Sequence, residues 1–177
     1  MKTYIWHNDI EEPSDFAKSL NYKEKRILDL GCGNGRDTKY FRKNNRIYGV
    51  DIDLKKYVWQ TYEYDQIDIS EFLKKYPDGL DCDVVYCRFL FHAISEKLED
   101  KIIKWSFKNA NELAIEARAK GDKPILYTDH ERRLIDPVQL IKKLDKVGFK
   151  NIDLKLGHGF AKLKDEDPYI IRVIAKK

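Results

Sequence analysis

The sequence has few cysteines and no long apolar run, and both shortages exclude whole classes of protein. Its three cysteines, Cys32, Cys82 and Cys87, are odd in number, and no two are spaced C-x-x-C. We therefore expect neither a disulfide framework nor a zinc site. No apolar run approaches the roughly 20 residues that cross a bilayer, and the first residues lack the apolar core of a signal peptide. These absences predict a cytoplasmic protein with no membrane partner and no bound metal.

The sequence also lacks a block of charge of one sign. It has 34 basic and 30 acidic residues, which gives a net charge of +4, and the two signs alternate along the chain. A small, dispersed excess is typical of a solvated surface, so we do not expect a nucleic-acid partner. The 177 residues suffice for one domain with a sizeable core, and no linker, repeat or low-complexity segment divides them. We expect a single domain over residues 1–177.

A glycine-rich stretch after a short apolar run is the strongest motif in the chain. Residues 27–37 read Ile-Leu-Asp-Leu-Gly-Cys-Gly-Asn-Gly-Arg-Asp, which predicts a buried strand, a tight turn and the start of a helix. The spacing of Gly31, Gly33 and Gly35 is G-x-G-x-G, whereas the dinucleotide fingerprint is G-x-G-x-x-G. Asp29, just before the glycines, would repel a pyrophosphate and attract an amino group. This acid favours a nucleoside that carries an amino acid over a dinucleotide.

A second acidic position follows the next predicted strand. Residues 46–50 are typical of a strand, and Asp51 ends it about 20 residues beyond the first glycine. In a nucleotide-binding half, an acid in this position accepts hydrogen bonds from the ribose hydroxyls. Asp53 is the alternative, although its position favours the cap of a helix over residues 54–62.

The string from Asp29 to Gly35 resembles motif I of the class I S-adenosylmethionine (SAM) methyltransferases. The resemblance implies SAM as cofactor and a Rossmann-like, doubly wound α/β fold with a mostly parallel seven-stranded sheet and a C-terminal antiparallel strand. It also implies that Asp29 approaches the methionine part of SAM and that Asp68 and Ile69 meet the adenine. The residues expected to bind the cofactor are Asp29, Gly31, Cys32, Gly33, Asn34, Gly35, Arg36, Asp37, Asp51, Ile52, Asp68, Ile69, Cys87 and Arg88.

Several shorter phrases resemble a narrower group, the small methyltransferases found with bacterial capsule or O-antigen polysaccharide genes. The phrases are Pro13-Ser14 with Phe16-Ala17, Gly35-Arg36-Asp37, Arg88-Phe89 with His92-Ala93-Ile94, Glu116 with Arg118, His130 with Arg132-Arg133, and Asp167-Pro168 before residues 171–174. The chain departs from the group at Cys87, where a serine is usual, and in a shortened, lysine-rich final loop around Ala161. The aromatic-rich residues 1–22 are expected to form an N-terminal cap that either packs over a sheet edge or roofs the cofactor pocket.

The resemblance places an acceptor site rich in cations beside the cofactor. Its expected substrate-binding residues are Arg88, His92, Glu116, Arg118, His130, Arg132 and Arg133. Arginine suits a phosphate or carboxylate, which predicts a small anionic acceptor such as a sugar phosphate, a nucleotide sugar or a phosphoramidate-type group. The alternative is that some of these arginines only pair with Glu116, Asp122 and Glu131.

The catalytic residues that we predict are Arg88, His92 and His130. An alcohol acceptor needs a base, for which His92 or His130 is the candidate, whereas an anionic oxygen needs none. Two other enzymatic or binding functions stay open: a detoxifying methyltransferase of a thiol or chalcogen oxyanion, and a protein that binds SAM without chemistry. A nucleic-acid methyltransferase would carry an Asn/Asp-Pro-Pro-aromatic phrase after the fourth strand, and residues 87–90 are not one.

The position of the fifth strand is ambiguous. By periodicity, residues 109–120 continue the preceding helix and residues 124–128 form the strand. By resemblance, residues 113–118 form the strand and residues 120–136 form a long loop. We favour the second arrangement. Downstream, Pro137 and Gly148 bound a predicted helix, and residues 149–156 and 169–175 are expected to form two closing strands.

Overall fold

The computed structural model describes residues 11–52, 63–122 and 133–177, and in this part of the chain seven strands form one sheet. The strands are β1 (Arg26–Leu30), β2 (Arg46–Asp51), β3 (Glu63–Gln66), β4 (Val84–Arg88), β5 (Glu112–Arg118), β6 (Asn151–Gly157) and β7 (Ile170–Lys176). Their order across the sheet is β3-β2-β1-β4-β5-β7-β6. The pairs from β3 to β5 are parallel, and β7 is antiparallel to both of its neighbours. The predicted fold is confirmed.

The strand order places a crevice at the centre of the sheet. The chain runs outward from β1 to β3 and then returns to the other side of β1 as β4. At such a reversal, the connections that follow β1 and β4 run to opposite faces of the sheet. A crevice opens between the carboxyl ends of these two strands, and ligands of doubly wound sheets bind there. The described helices cover both faces: α1 (Asp15–Leu20), α2 (Arg36–Phe41), α3 (Ile69–Lys75), α4 (Glu96–Asn109) and α5 (Pro137–Val147).

Two apolar clusters hold these layers together. The larger one packs α3, α4 and α5 on one face of the sheet, with Phe72, Trp105 and Leu144 among its members. The smaller one packs α1 and α2 on the other face, where Phe16 stacks on Tyr86 at a centroid distance of 5.5 Å. Because helices cover both faces of the sheet, side chains on both sides of the central strands are buried, and these strands are therefore mostly apolar.

Side-chain caps and a glycine mark the described helix ends. The side chains of Ser14 and Ser95 cap α1 and α4, and Gly148 ends α5 as predicted. Asp68 caps α3, because its carboxylate accepts a 2.7 Å hydrogen bond from the Ser70 backbone N–H. A carboxylate at this position satisfies an N–H group that has no partner within the helix.

The fifth strand lies where the resemblance places it. Helix α4 ends at Asn109, its C-cap Ala110 has an extended backbone, and β5 then runs from Glu112 to Arg118 between β4 and β7. No described helix is long and apolar enough to cross a membrane. Several predictions concern residues outside the described ranges: the start of the N-terminal cap, Asp53 and the helix over 54–62, the alternative strand over 124–128, and the acceptor residues His130, Glu131 and Arg132.

Candidate active site

A cavity of about 710 Å³ opens at the carboxyl ends of β1, β2 and β4. This volume lies within the range of pockets that bind small molecules and cofactors. Its walls include the glycine turn after β1, the end of β2, the segment leading into α1, the start of α3, the end of β4 with the turn that follows it, and residues 160–163 of the final loop. Segments that are remote in sequence thus converge at the crevice predicted from the strand order.

The glycine turn brings bare backbone to the wall of the cavity. Gly31 and Gly33 have φ angles of +76° and +56°, a region that residues with a Cβ rarely adopt. A Cβ on Gly31 would also lie 3.1 Å from the Leu90 side chain. The N–H groups of Gly31 and Cys32 donate to the Val50 carbonyl at 2.8 and 3.2 Å, which holds the turn against β2.

Asp29 is a buried acid at the end of β1. Its side chain is 2% exposed, and its Oδ2 accepts a 2.6 Å hydrogen bond from the Thr38 hydroxyl. Burial raises the pKa of Asp29 to about 8, although the hydrogen bond from Thr38 opposes this shift. Asp29 forms no ion pair with the described residues. A carboxyl group in this state gains stability when a cationic group binds beside it.

Two further acids lie on the same side of the cavity. Asp51 ends β2, and its Oδ2 accepts a 2.9 Å hydrogen bond from the Gly33 N–H, which connects the second strand to the glycine turn. A carboxylate can accept several hydrogen bonds, so this contact is compatible with a ribose ligand. Asp68 lines the cavity after β3, and the hydroxyl of Ser70 holds the pKa of Asp68 below its ordinary value.

The opposite side of the cavity contains a buried ionic network. Arg88, at the end of β4, donates from Nε to Glu116 at 2.9 Å, and Arg172 of β7 donates from Nε to the other Glu116 oxygen at 2.6 Å. Asp37 lies 3.8 Å from the Arg88 Nε. Burial lowers the pKa of Arg88, but Glu116 and Asp37 outweigh this effect and raise it overall.

The N-terminal segment is attached to this network through Ser14. Its backbone N–H and its hydroxyl each donate to an Asp37 carboxylate oxygen at 2.7 Å, and the Tyr86 hydroxyl donates to Asp37 at 2.8 Å. These bonds place Pro13 and Lys18 at the cavity, while Phe16 packs inward on Tyr86. Residues 12–18 therefore line the cavity and also pack against the sheet, as both predicted alternatives for the N-terminal cap require.

A family model for the methyltransferase domain matches residues 5–113, more than half of the chain. The chain belongs to the methyltransferase domain family. No curated protein matches its sequence significantly. The family assignment and the cofactor of this fold make the protein a SAM-dependent methyltransferase.

Solved structures share the fold of this methyltransferase at low sequence identity. A SAM-dependent methyltransferase from Archaeoglobus fulgidus is 19% identical, with a TM-score of 0.71 and 90% coverage of each chain. The 1,6-didemethyltoxoflavin-N1-methyltransferase of Burkholderia thailandensis, with its substrate and S-adenosylhomocysteine, is 16% identical, with a TM-score of 0.70 over 92% of this chain and 74% of that one. Phosphoethanolamine N-methyltransferase 2 of Haemonchus contortus, with phosphomonomethylethanolamine and S-adenosylhomocysteine, is 14% identical, with a TM-score of 0.69 over 92% of this chain and 51% of that one.

The residues of this methyltransferase fit SAM on the side of β1 to β3. A buried carboxyl at Asp29 suits an ammonium group, Asp51 ends β2 as a ribose ligand does, and Gly33 leaves open space where a Cβ would stand. Twelve of the fourteen residues predicted to bind the cofactor line the cavity: Asp29, Gly31, Cys32, Gly33, Asn34, Arg36, Asp37, Asp51, Ile52, Asp68, Ile69 and Arg88.

The other two predicted cofactor residues lie behind the wall of the cavity. Gly35 is buried and begins α2 as its N-cap, with a φ angle of +72°. Cys87 is completely buried in β4, and burial raises the pKa of its thiol well above the ordinary value. The sulfur therefore stays protonated and acts as a small core side chain.

The predicted acceptor residues of the methyltransferase divide into two sets. Arg88 lines the cavity, whereas His92, Glu116, Arg118 and Arg133 do not. His92 is 0% exposed, and its Nδ1 accepts a hydrogen bond from the Arg118 backbone N–H at 3.2 Å. An imidazole in this position does not face an acceptor in the cavity, so the geometry favours a structural role over that of a base.

The two arginines beyond the cavity bind carboxylates. The Arg118 guanidinium donates to Asp122 and Glu166, both at 3.0 Å. Arg133 donates to the buried Glu99 at 2.7 Å and to two backbone carbonyls at the turn after β4. These contacts agree with the alternative that part of the predicted arginine cluster forms ion pairs within the protein.

Sequence reasoning overlooked several residues at the acceptor side of the cavity. Lys18 and Lys162 line it, and Arg172 holds its final loop by donating to the Phe160 carbonyl at 2.7 Å. Arg172 had a signal in the sequence, because it is the one charged residue in the apolar run 170–175. A charged residue there must have a buried partner, and β5 provides Glu116.

Proposed function

We propose that this methyltransferase transfers the methyl group of SAM to a small anionic acceptor, such as a sugar phosphate, a nucleotide sugar or a phosphoramidate-type group. The supporting observation is the position of the charged side chains that line the cavity. Asp29 and Asp51 lie at the ends of β1 and β2 and Asp68 follows β3, while the four basic side chains lining the described cavity lie in other segments, together with Glu12, Asp15 and Asp37: Lys18, Arg36, Arg88 and Lys162. A cationic donor and an anionic acceptor would each meet charges of opposite sign.

The proposed cofactor mode assigns a role to each acid. Asp29 binds the ammonium group of the methionine part, and Asp51 accepts hydrogen bonds from the ribose hydroxyls. Asp68 and the backbone of Ile69 contact the adenine edge, which lies near the N-terminus of α3. Bound SAM supplies a methyl group that its sulfonium charge has already activated.

The side chains then contribute to the reaction by positioning the acceptor and by providing charges that bind it. An anionic acceptor oxygen is already a nucleophile, so the side chains need to hold it in line with the methyl group and do not need to remove a proton. This mechanism agrees with the burial of His92 outside the cavity. Arg88, fixed by Glu116 and lying with its guanidinium 4.4 Å from the centroid of the Phe89 ring, is the proposed catalytic arginine at the end of β4.

The proposal extends to cell-surface polysaccharide biosynthesis through the phrases shared with the narrower group. Two of these phrases lie together at the site, since Ser14 binds Asp37. The same fold accommodates a phosphate-bearing acceptor in the Haemonchus contortus enzyme, whose structure contains phosphomonomethylethanolamine. The proposed acceptor of this chain and the phosphomonomethylethanolamine of that structure are both small molecules.

Turnover of matched acceptor pairs tests this function. Purified protein is incubated with SAM and with sugar phosphates, nucleotide sugars and the corresponding uncharged sugars, and release of S-adenosylhomocysteine is measured. We expect kcat/KM to be at least tenfold higher for the anionic member of an active pair, because one charge-assisted hydrogen bond contributes about 1.5–3 kcal/mol. Equal turnover of the charged and uncharged members would contradict the proposal.

Binding of S-adenosylhomocysteine provides the control for the cofactor half of the proposal. The wild-type protein should bind it, and Asp51→Ala should bind it at least tenfold more weakly because the ribose hydroxyls lose an acceptor. Binding of the same strength in Asp51→Ala would refute the proposed cofactor mode whatever the acceptor is.

A further inference from the structure

We infer that a second site, at the amino ends of β1 and β2, binds a small ligand with two adjacent phosphate groups. Residues 24–26 and 42–46 line a cleft of about 520 Å³ there, which we call the basic cleft. This volume suits a small molecule. The basic cleft lies at the opposite edge of the sheet from the cofactor cavity, which opens at the carboxyl ends of the strands. The inference therefore does not rest on the proposed function.

The lining of the basic cleft has a large excess of positive charge. Among the described residues, its one acid is Glu24 and its basic residues are Lys25, Arg26, Arg42, Lys43 and Arg46. This excess equals the net charge of the whole chain, +4, so the rest of the sequence is balanced. The two segments are separated in sequence by the glycine turn and α2. The excess therefore looks dispersed along the chain and becomes concentrated only in the fold.

Most of these cations have no acidic partner in the part of the chain that the structure describes. Arg26 binds Asp83 at 2.9 Å, whereas Lys25, Lys43 and Arg46 form no ion pair with described residues. Arg46 also lies directly beside Arg26 in the parallel register of β2 and β1. Like charges on neighbouring strands repel each other, and an anion in the cleft would relieve this repulsion.

The dipole of a helix explains only part of this cluster. Bases near the C-terminus of a helix interact favourably with its dipole, and Arg42 and Lys43 directly follow α2. Lys25 precedes β1 and Arg46 begins β2, so neither belongs to a helix end. Cations from three elements thus line one concave surface, which a dipole effect does not require.

The backbone of the basic cleft is held by Asn45. Its side-chain amide donates to the carbonyls of Tyr22 and Phe41 at 3.0 and 2.8 Å. Its oxygen accepts from the Lys25 backbone N–H at 3.0 Å, and the Arg46 N–H donates to the Lys25 carbonyl at 2.9 Å. These bonds join the two segments across the cleft, so binding would not need to order them first.

The amount of charge and the residue types favour two phosphates over one. A phosphate monoester carries about 1.5–2 negative charges near neutral pH, which is less than the excess in the lining. The excess is still three if Arg26 is left out because of its pair with Asp83. Arginine donates to two phosphate oxygens at once, while lysine adds a point charge. A pyrophosphate group, free or as part of a nucleoside diphosphate, offers both the charge and the oxygens.

Calorimetric titration with inorganic pyrophosphate tests the inference. The titration uses about 0.15 M salt, which screens long-range attraction between surface charges. Lys25→Gln/Arg46→Gln removes two cations of the basic cleft, and the control Lys101→Gln/Lys104→Gln removes two exposed lysines of α4. We expect the cleft variant to raise the pyrophosphate Kd at least tenfold, because charge-assisted hydrogen bonds are lost, and the control to stay within twofold of wild type.

Further measurements fix the ligand class and the integrity of the variants. Lys43→Gln alone should raise the pyrophosphate Kd by a smaller factor, and inorganic phosphate should bind the wild type at least tenfold more weakly than pyrophosphate. The cleft variant should bind S-adenosylhomocysteine as the wild type does, since the cofactor cavity lies at the other edge of the sheet.

Four results would overturn the inference. A wild-type pyrophosphate Kd above about 1 mM would mean that the cleft is only a solvated surface. Equal losses in the two double variants would show that net charge binds the anion, and equal affinity for phosphate and pyrophosphate would refute the two-phosphate ligand. A single-stranded oligonucleotide that binds more tightly than pyrophosphate, and loses affinity in the cleft variant, would assign the cleft to nucleic acid instead.

Discussion

Asp29 shows at the scale of one residue how a binding site can oppose stability. A carboxyl that is 2% exposed with a pKa near 8 is mostly protonated at neutral pH. The unfolded chain would ionise it near its ordinary pKa of 3.8. Because the folded state holds the proton more tightly, this group destabilises the free protein increasingly as the pH rises from about 4 to 8.

The pH dependence of cofactor binding follows from the same shift. An ammonium group binds the ionised carboxylate, so the free protein must release one proton from Asp29 when S-adenosylhomocysteine binds below pH 8. We expect the Kd to fall as the pH rises from 6 to 8, by up to about tenfold per unit, and to level off above the pKa. Calorimetry in buffers of different ionisation enthalpy would count the released proton.

Asp29→Asn is the variant that checks this account. It should bind S-adenosylhomocysteine at least tenfold more weakly and without the pH dependence, since the amide does not ionise. The free variant should be more stable than wild type above pH 6, with Tm raised by roughly 5 °C, because folding no longer has to protonate a buried carboxyl, while the Thr38 hydroxyl keeps an acceptor. A pH dependence that persists in Asp29→Asn would show that another group causes it.

At the scale of one element, the segment before α1 depends on a single serine. Ser14 caps α1 by accepting from the Ala17 N–H at 3.1 Å, and its hydroxyl also donates to the buried Asp37. Ser14→Ala removes both side-chain bonds. We expect the free energy of unfolding to fall by about 2 kcal/mol, equivalent to roughly 4–8 °C in Tm for a chain of this size.

Ser19→Ala is the matched control for this prediction. Ser19 lies at the exposed end of the same helix and donates only to the Phe16 carbonyl, so its loss should change stability by less than about 0.5 kcal/mol. Ser14→Ala should also weaken S-adenosylhomocysteine binding, because residues 12–15 line the cavity. Equal effects of the two variants in thermal unfolding would mean that the bonds to Asp37 contribute nothing measurable.

The elements that the sequence predicted well are those with local signals. Pro137 and Gly148 determine the ends of α5 through their own backbone conformation, and the structure places the ends there. Strand β5 has no such signal. It lies between β4 and β7 and is buried along its length apart from Glu112, so it shows no alternation, and its alanines and charged residues also fit a helix.

The candidate site was predictable in the same uneven way. Asp29 and Asp51 stand at fixed distances from the glycines, and both line the cavity. The resemblance predicted Arg88, Arg118 and Arg133 as parts of one cationic acceptor site, but only the tertiary structure decides which arginine finds a carboxylate. Arg118 meets Asp122 and Glu166 across a turn, which a linear sequence does not reveal.

At the scale of the whole molecule, the last strand completes a site that the first two strands begin. Strand β7 is inserted antiparallel between β5 and β6, so Arg172 lies directly opposite Glu116, and Lys176 lies opposite Glu112 at the other end. The same register thus forms two glutamate–base pairs. One is buried beside the cavity at 2.6 Å, and the other joins the exposed Lys176 to the partly buried Glu112 at 3.5 Å.

The two pairs should contribute very differently to stability, because burial determines the strength of an ion pair. Loss of one partner of a buried pair leaves an uncompensated charge and costs about 3–5 kcal/mol, whereas a pair with a solvent-exposed lysine, as at Lys176, contributes about 0.2–1 kcal/mol. Double-mutant cycles by urea unfolding, with Glu116→Gln and Arg172→Met against Glu112→Gln and Lys176→Met, measure both coupling energies. We expect at least about 2 kcal/mol for the first pair and below about 1 kcal/mol for the second.

Since Arg172 also holds the final loop through the Phe160 carbonyl, Arg172→Met should reduce methyl transfer to an anionic acceptor, while Lys176→Met should not. Equal coupling energies would show that β7 joins the sheet without contributing a charge that the site requires.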